Sequence, residues 1–161
     1  TRRMVAAVVA AEQVRFLLRT LGAELRALGL DNARGKLVRQ ALAYTEKMER
    51  LTAEGKGTAD RGRVSAYVQI GEMYQDLGSA EQNPDYFRRT DENYARAVAL
   101  AEELARADPD SDLARGNLAL TLDRLSRVRA LLGRFDGPDG AAALLDRSLA
   151  LRKEIVDSPR A

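Results

Sequence analysis

Large apolar residues recur at spacings of three and four along almost the whole chain, and nowhere does the sequence alternate β-branched and polar residues as a half-buried strand does. That periodicity confines the chain to packed helices. Val5, Val8, Val9, Val14, Leu17, Leu18, Leu21, Leu25 and Leu28 mark a first helix ending near Gly29. Asp31 and Asn32 offer N-cap oxygens for a second, carried by Leu37, Val38, Leu42, Met48 and Leu51 and stopped by Gly55 and Gly57. A third, capped by Thr58 or Asp60, runs from Val64 to Leu77 and stops at Gly78. After the Asn83-Pro84 turn signal, a fourth begins at Asp85 and is closed by Pro109. The fifth runs from Ser111 to Gly133, and Asp136, Gly137 and Pro138 separate it from a sixth that ends before Pro159. The expectation is one all-α domain over residues 1–161, with six helices in three antiparallel hairpins at about 3–54, 58–107 and 111–157.

Composition agrees with packed helices and removes whole classes of chemistry. The chain holds 27 Ala and 23 Leu among 161 residues but no Trp and only four Pro. A chain of this length buries roughly 68 to 70% of its unfolded surface, enough for a real core. With no Cys and no His it has no thiolate or imidazole for a metal, no Cys nucleophile and no His-based triad. Neither metal nor cofactor is expected.

Twenty-six basic and 24 acidic residues interleave, for a net charge of +2, so no face is built for nucleic acid. The densest basic run, Arg124, Arg127, Arg129 and Arg134, includes Asp123 and reads as a solvated helix face. The longest apolar stretch, Met4 to Ala11, is eight residues, against the roughly 20 a bilayer span needs. No signal-peptide cleavage pattern follows Arg2 and Arg3, and a cytoplasmic setting is expected. Arg outnumbers Lys 22 to 4, in keeping with a GC-rich bacterial source. Because the chain begins at Thr1, a piece excised from a longer protein is expected.

The candidate hairpins share an internal register. Leu21-Gly22, Ile70-Gly71 and Leu125-Ser126 each place a large apolar residue before a tiny one in the first helix of a hairpin. Leu18, Tyr67 and Leu122 precede the apolar member by three, and Leu25, Tyr74 and Arg129 follow the small member by three. The second helices carry small positions at Ala41, Ala97 and Ser148.

This pattern resembles the tetratricopeptide repeat, whose first helix reads W-x2-L-G-x2-Y and whose second carries small residues before a Pro. Tyr67, Ile70, Gly71, Tyr74, Tyr94, Ala97 and Pro109 match best; Arg34, Ser126 and Arg129 depart from the pattern. The long second helices look like the kinesin-light-chain type of repeat. Leu37 to Leu51 with Val64 to Met73, extended by Ala95 to Pro109 and Leu113 to Val128, is similar to the tetratricopeptide tails of bacterial serine/threonine protein kinases. The resemblance implies a right-handed superhelical array acting as a non-catalytic scaffold of a larger signalling protein.

Other motifs weigh little. Gly29 to Leu37 has one residue too many for a phosphate loop, lacks the Ser or Thr that holds the metal, and follows no strand. Gly55-Lys56-Gly57-Thr58 reads as a turn, and the catalytic loop, Gly-rich lid and Asp-Phe-Gly of a kinase are missing. Glu102 and Glu103 are adjacent on a helix and face apart, and the five tyrosines recur at helical spacing as gap fillers.

The resemblance places function on a concave groove lined by first helices. In this register the groove residues are Phe16, Arg19, Ala23 and Arg26; Ser65, Val68, Glu72 and Gln75; and Leu120, Asp123, Arg127 and Ala130. Their mixed signs suit an extended peptide or a partner helix. The Lys and Asn set with which some family members clamp a C-terminal carboxylate is absent from these positions. The rival expectation is a spacer or dimerisation module, a homo-oligomer in which the helix carrying Met4 to Val14 packs on its own copy.

Overall fold

The computed structural model describes residues 2–54 and 60–159, with side chains from residue 9 onward. Six helices account for nearly all of them: α1 (Arg2–Ala27), α2 (Asp31–Glu54), α3 (Arg61–Glu81), α4 (Pro84–Ala107), α5 (Asp112–Leu131) and α6 (Ala141–Asp157), with no strand among the described residues. The all-helical class and the helix count are those the periodicity predicts. No described helix is long and apolar enough to cross a membrane.

Several boundaries differ from expectation. Asp31 is not an N-cap; it lies in the first turn of α2, where its charge complements the helix dipole. Gly78 does not end α3, because the helix continues to Glu81 and stops only at Gln82, a left-handed residue at φ 50° whose N–H bonds to the Gly78 carbonyl. Inside the helix Gly78 lets the Phe87 ring approach to 3.2 Å from where a Cβ would project. Asn83 and Pro84 start α4 as well as making a turn: the Asn83 side chain accepts from the Asp85 N–H at 3.0 Å, and Pro84 takes the first helical position. Asp60 caps α3 through the Arg63 N–H, and Ser111 caps α5 through the Ala114 N–H. Thr58, Gly55 and Gly57 lie outside the described residues.

Consecutive helices pack on one another, and α1 also packs on α3. Along α3 and α4, Gly71 meets Tyr94 and Gly78 meets Phe87, so this pair runs antiparallel. Ser126 donates to the Ala141 carbonyl and Ser148 to the Ala119 carbonyl, which fixes the same sense for α5 and α6. One hydrophobic core runs unbroken from Leu18 to Leu144, centred on Ile70, Tyr74, Leu77 and Leu122. The Tyr67, Tyr74 and Tyr94 rings are buried within it, with the Tyr86 ring stacked 6.4 Å from that of Tyr74.

Candidate partner-binding groove

Between the N-terminal half of α3, the C-terminal half of α4 and the N-terminal half of α5 lies a cleft of about 310 Å³. It exists because Ala101, Ala107 and Ala114 are too short to close the space where α4 turns into α5. Val64, Val68, Leu104 and Leu120 make its apolar lining, and Arg61, Ser65, Gln69, Asn117 and Arg124 supply polar groups. Leu120 is exposed although large and apolar. The Gln69 Oε1 is buried with no hydrogen-bond partner among the described residues. A buried acceptor of that kind is costly unless a donor reaches it.

Midway along α3 the surface is closed by charge. Glu72 is only 8% exposed and holds Arg15 of α1 on one side and Arg124 of α5 on the other. Asp76, one turn on, takes Arg15 Nε and Arg19 Nη2, each at 3.0 Å. Beneath them the Tyr94 hydroxyl donates to Gln75 Oε1 at 3.2 Å. Burial, followed by the nearby Glu72 carboxylate, pushes the Tyr94 hydroxyl up to about 12.

The expected groove residues therefore divide. Ser65, Val68 and Leu120 come together in the cleft. Arg19, Ala23 and Arg26 line a separate cleft between α1, α2 and α3, where Arg26 donates to the Ala80 carbonyl. Glu72 and Gln75 are taken up in the network between the two clefts rather than left open. Phe16 is exposed on α1, and Arg127 is exposed on α5.

Asp123 is turned away from the cleft and pairs with Arg152 of α6. With Ser126 bonded to Ala141, that edge of α5 faces α6, and the cleft is met one edge round by Asn117, Leu120, Thr121 and Arg124. Arg15, Gln69, Asp76, Asn117 and Arg124 were not expected at the site. Glu72 and Asp76, four apart on α3 and opposite Arg15 and Arg19, four apart on α1, carry the only signal that could have exposed part of it.

The basic run also departs from a solvated face. Arg124 pairs with Glu72, and Arg134 approaches Asp91 at 3.4 Å. Arg129 is buried, with Nε 3.0 Å from Asp91 Oδ2 and Nη1 2.6 Å from the Asp139 carbonyl. Gly29 sits at φ 69° past the end of α1, and residues 31–37 are already helical, which makes this stretch a helix-to-helix turn. No described group of three or more Asp and Glu side chains is arranged to hold a metal ion.

Comparison with protein-family models, curated proteins and solved structures finds no match to the chain.

Proposed function

We propose that this chain is a non-catalytic scaffold of tetratricopeptide type that holds a protein partner in the cleft between α3, α4 and α5. Three helix pairs, α1/α2, α3/α4 and α5/α6, form a right-handed superhelical array in this reading. The register of Gly22, Gly71 and Ser126 supports it, as does the way Tyr94 lies over Gly71. The observation that carries the binding role is the open apolar cleft with an unsatisfied Gln69 Oε1 in its wall. An apolar side chain seated on Val68 and Leu120 suits the cleft, and a turn of the Gln69 side chain brings its buried Oε1 to the partner's backbone N–H. Arg61 and Asp108 put both signs of charge at the rim of the cleft, and Arg124 is already paired with Glu72, so the lining favours no one charge on the partner. The parent assigned here is a cytoplasmic bacterial signalling protein bearing a serine/threonine kinase domain, on the strength of the sequence resemblance alone.

Selection of peptides from a random library against the chain tests the binding role. Leu120→Asp should weaken the selected peptides by about tenfold or more, whereas Arg127→Ala, outside the cleft, should leave them unchanged. Equal loss in both variants, or none, would place binding elsewhere. The parent is tested by the coding sequence upstream of Thr1, where a Gly-rich lid followed by a kinase catalytic loop is expected. A start codon just before Thr1 would sink the kinase assignment and leave a stand-alone adaptor.

A further inference from the structure

We propose that copies of this chain associate end to end, the outer face of α6 on one copy packing antiparallel against the outer face of α1 on the next. The proposal stands on helix register and exposure and does not depend on the cleft between α3 and α5.

The argument begins with α3. Its residues five and one before Gly71 and two and six after it are Ala66, Ile70, Met73 and Leu77, all 3% exposed or less. They occupy the side of α3 opposite the one that meets α4, between the side where Tyr74 bonds to Glu49 of α2 and the side where Glu72 and Asp76 meet α1. This is the face with which α3 beds into the preceding pair of helices. Counted the same way from Ser126, Thr121, Leu125 and Val128 of α5 are likewise buried, and Leu132, just past its end, is partly so. Counted from Gly22 in α1, the positions are Leu17, Leu21, Glu24 and Leu28. They are exposed, Leu17 to 45% and Leu28 to 72%. The first helix thus carries the face that the other two bury, with nothing described against it.

The opposite end has the complementary feature. Counted from Ala97, the residues one, four and eight later are Val98, Ala101 and Ala105, which are wholly or partly buried in the core; Ala101 and Ala105 lie beside residues of α5. Counted from Ser148 in α6, the same positions are Leu149, Arg152 and Val156, and Leu149 and Val156 are 55% and 74% exposed. The face that α4 places under the following helix is, in α6, uncovered among the described residues. An α1 from another copy is a helix of the kind that face receives.

Charge selects this pairing over the symmetric ones. Each stripe holds one charged residue, Glu24 in α1 and, in α6, Arg152, which pairs with Asp123 of α5 but keeps 48% of its side chain exposed. Centred antiparallel packing of α1 on its own copy sets two Glu24 carboxylates within about one turn of each other, whereas α6 on its own copy sets two Arg152–Asp123 pairs side by side and gains no new opposite charge. Packing α6 on α1 brings Arg152 within a turn of Glu24 instead, where opposite charges favour the contact. The contact is heterologous, so it does not close at a dimer and adds copies as concentration rises.

Sedimentation or light scattering of the 161-residue chain and two exposed-face variants tests this directly. The native chain should pass from monomer to dimer and larger species between about 1 and about 500 µM, the range of a small interface. Leu21→Asp and Leu149→Asp should each remain monomeric with unchanged helix content. Mixed in equal amounts, they should form a one-to-one heterodimer and nothing larger, because only one intact α1 face and one intact α6 face remain. Leu28→Asp and Val156→Asp, at still more exposed positions, replace them if either variant unfolds. A native chain that is monomeric throughout overturns the proposal. So does a Leu149→Asp variant that still dimerises alone, since that outcome puts α1 on its own copy, or a mixture that stays monomeric. Loss of peptide binding in Leu120→Asp has no bearing on these readouts, so the two readings fail separately.

Discussion

The ring of Tyr94 lies directly on Gly71, with Cε1 2.5 Å from where a glycine-to-alanine change would place a Cβ. The ring has little freedom to yield, being 2% exposed with its hydroxyl bonded to Gln75. Gly71→Ala should therefore cost about 2 to 3 kcal/mol of overpacking against the roughly 1 kcal/mol of helix propensity that alanine gains, a net loss of about 1 to 2 kcal/mol. Gly22 holds the equivalent register position in α1, but the nearest atom to its would-be Cβ is Leu37 Cδ2 at 4.0 Å. Gly22→Ala should accordingly stabilise by up to about 1 kcal/mol. Urea midpoints of the two variants check both signs. A destabilised Gly22→Ala would show that α1 packs more tightly on α2 than these distances allow.

The contrast between those two glycines also explains how far the sequence could be read. Helix number and approximate extent follow from apolar spacing, because a 3.6-residue period leaves a direct trace in the order of residues. The ends were legible where a cap is a local side-chain bond, as at Asp60, and misread at Gly78, where the helix runs on to the left-handed Gln82. Ser65, Val68 and Leu120, expected together from the register of the repeat resemblance, do line one cleft. Glu72 and Asp123 do not, because which neighbour a charged side chain meets depends on helix pairings remote in sequence: Arg124 is 52 residues from Glu72, and Arg152 is 29 from Asp123. Ser126 and Arg129, which weaken the repeat pattern, have their own partners in the Ala141 carbonyl and Asp91.

Asp91 and Arg129 form a buried bidentate pair, 7% and 9% exposed, that fastens α5 to α4 and, through the Asp139 carbonyl, to the loop before α6. Removing one partner takes the main counter-charge from the other and leaves Asp91 only the half-exposed Arg134 at 3.4 Å, or Arg129 only the Asp139 carbonyl. Asp91→Leu or Arg129→Met alone should cost about 3 to 5 kcal/mol, and the two combined should cost far less than the sum. A double-mutant cycle by chemical denaturation measures the coupling. Additive losses would mean that the two side chains are held by their other neighbours and not by each other.

Glu72 ties α1, α3 and α5 together from a nearly buried position, while Arg15 and Arg124 retain 18% and 42% of their side-chain exposure. Solvent screening of the arginines reduces what the carboxylate contributes. Glu72→Ala should cost about 1 to 3 kcal/mol, and amide exchange should quicken in α1 before α3, since Arg15 is one of the few polar links between them. Glu72→Gln, which keeps the shape and loses the charge, should fall between native and alanine. Uniform exchange across all helices in Glu72→Ala would contradict a local tie.

Tyr94 gives the chain an alkaline limit. Its hydroxyl, held up to about 12 by burial and then by Glu72, keeps its proton in the folded state after an ordinary tyrosine near 10 in the unfolded chain has lost it. The folded-state value is the higher, so this contribution is complete below pH 10 and is lost as pH rises from 10 towards 12. Two pKa units correspond to roughly 2 to 3 kcal/mol over that window. Tyr74 is raised in the same direction, by burial first and then by its bond to Glu49, and steepens the loss. Urea midpoints between about pH 8 and about pH 11 should therefore be level at first and fall above 10. Tyr94→Phe keeps the ring on Gly71 but has no proton to lose, so its stability should start somewhat lower and decline less steeply. An alkaline slope as steep in Tyr94→Phe as in the native chain would assign the whole effect to other groups, Tyr74 first among them.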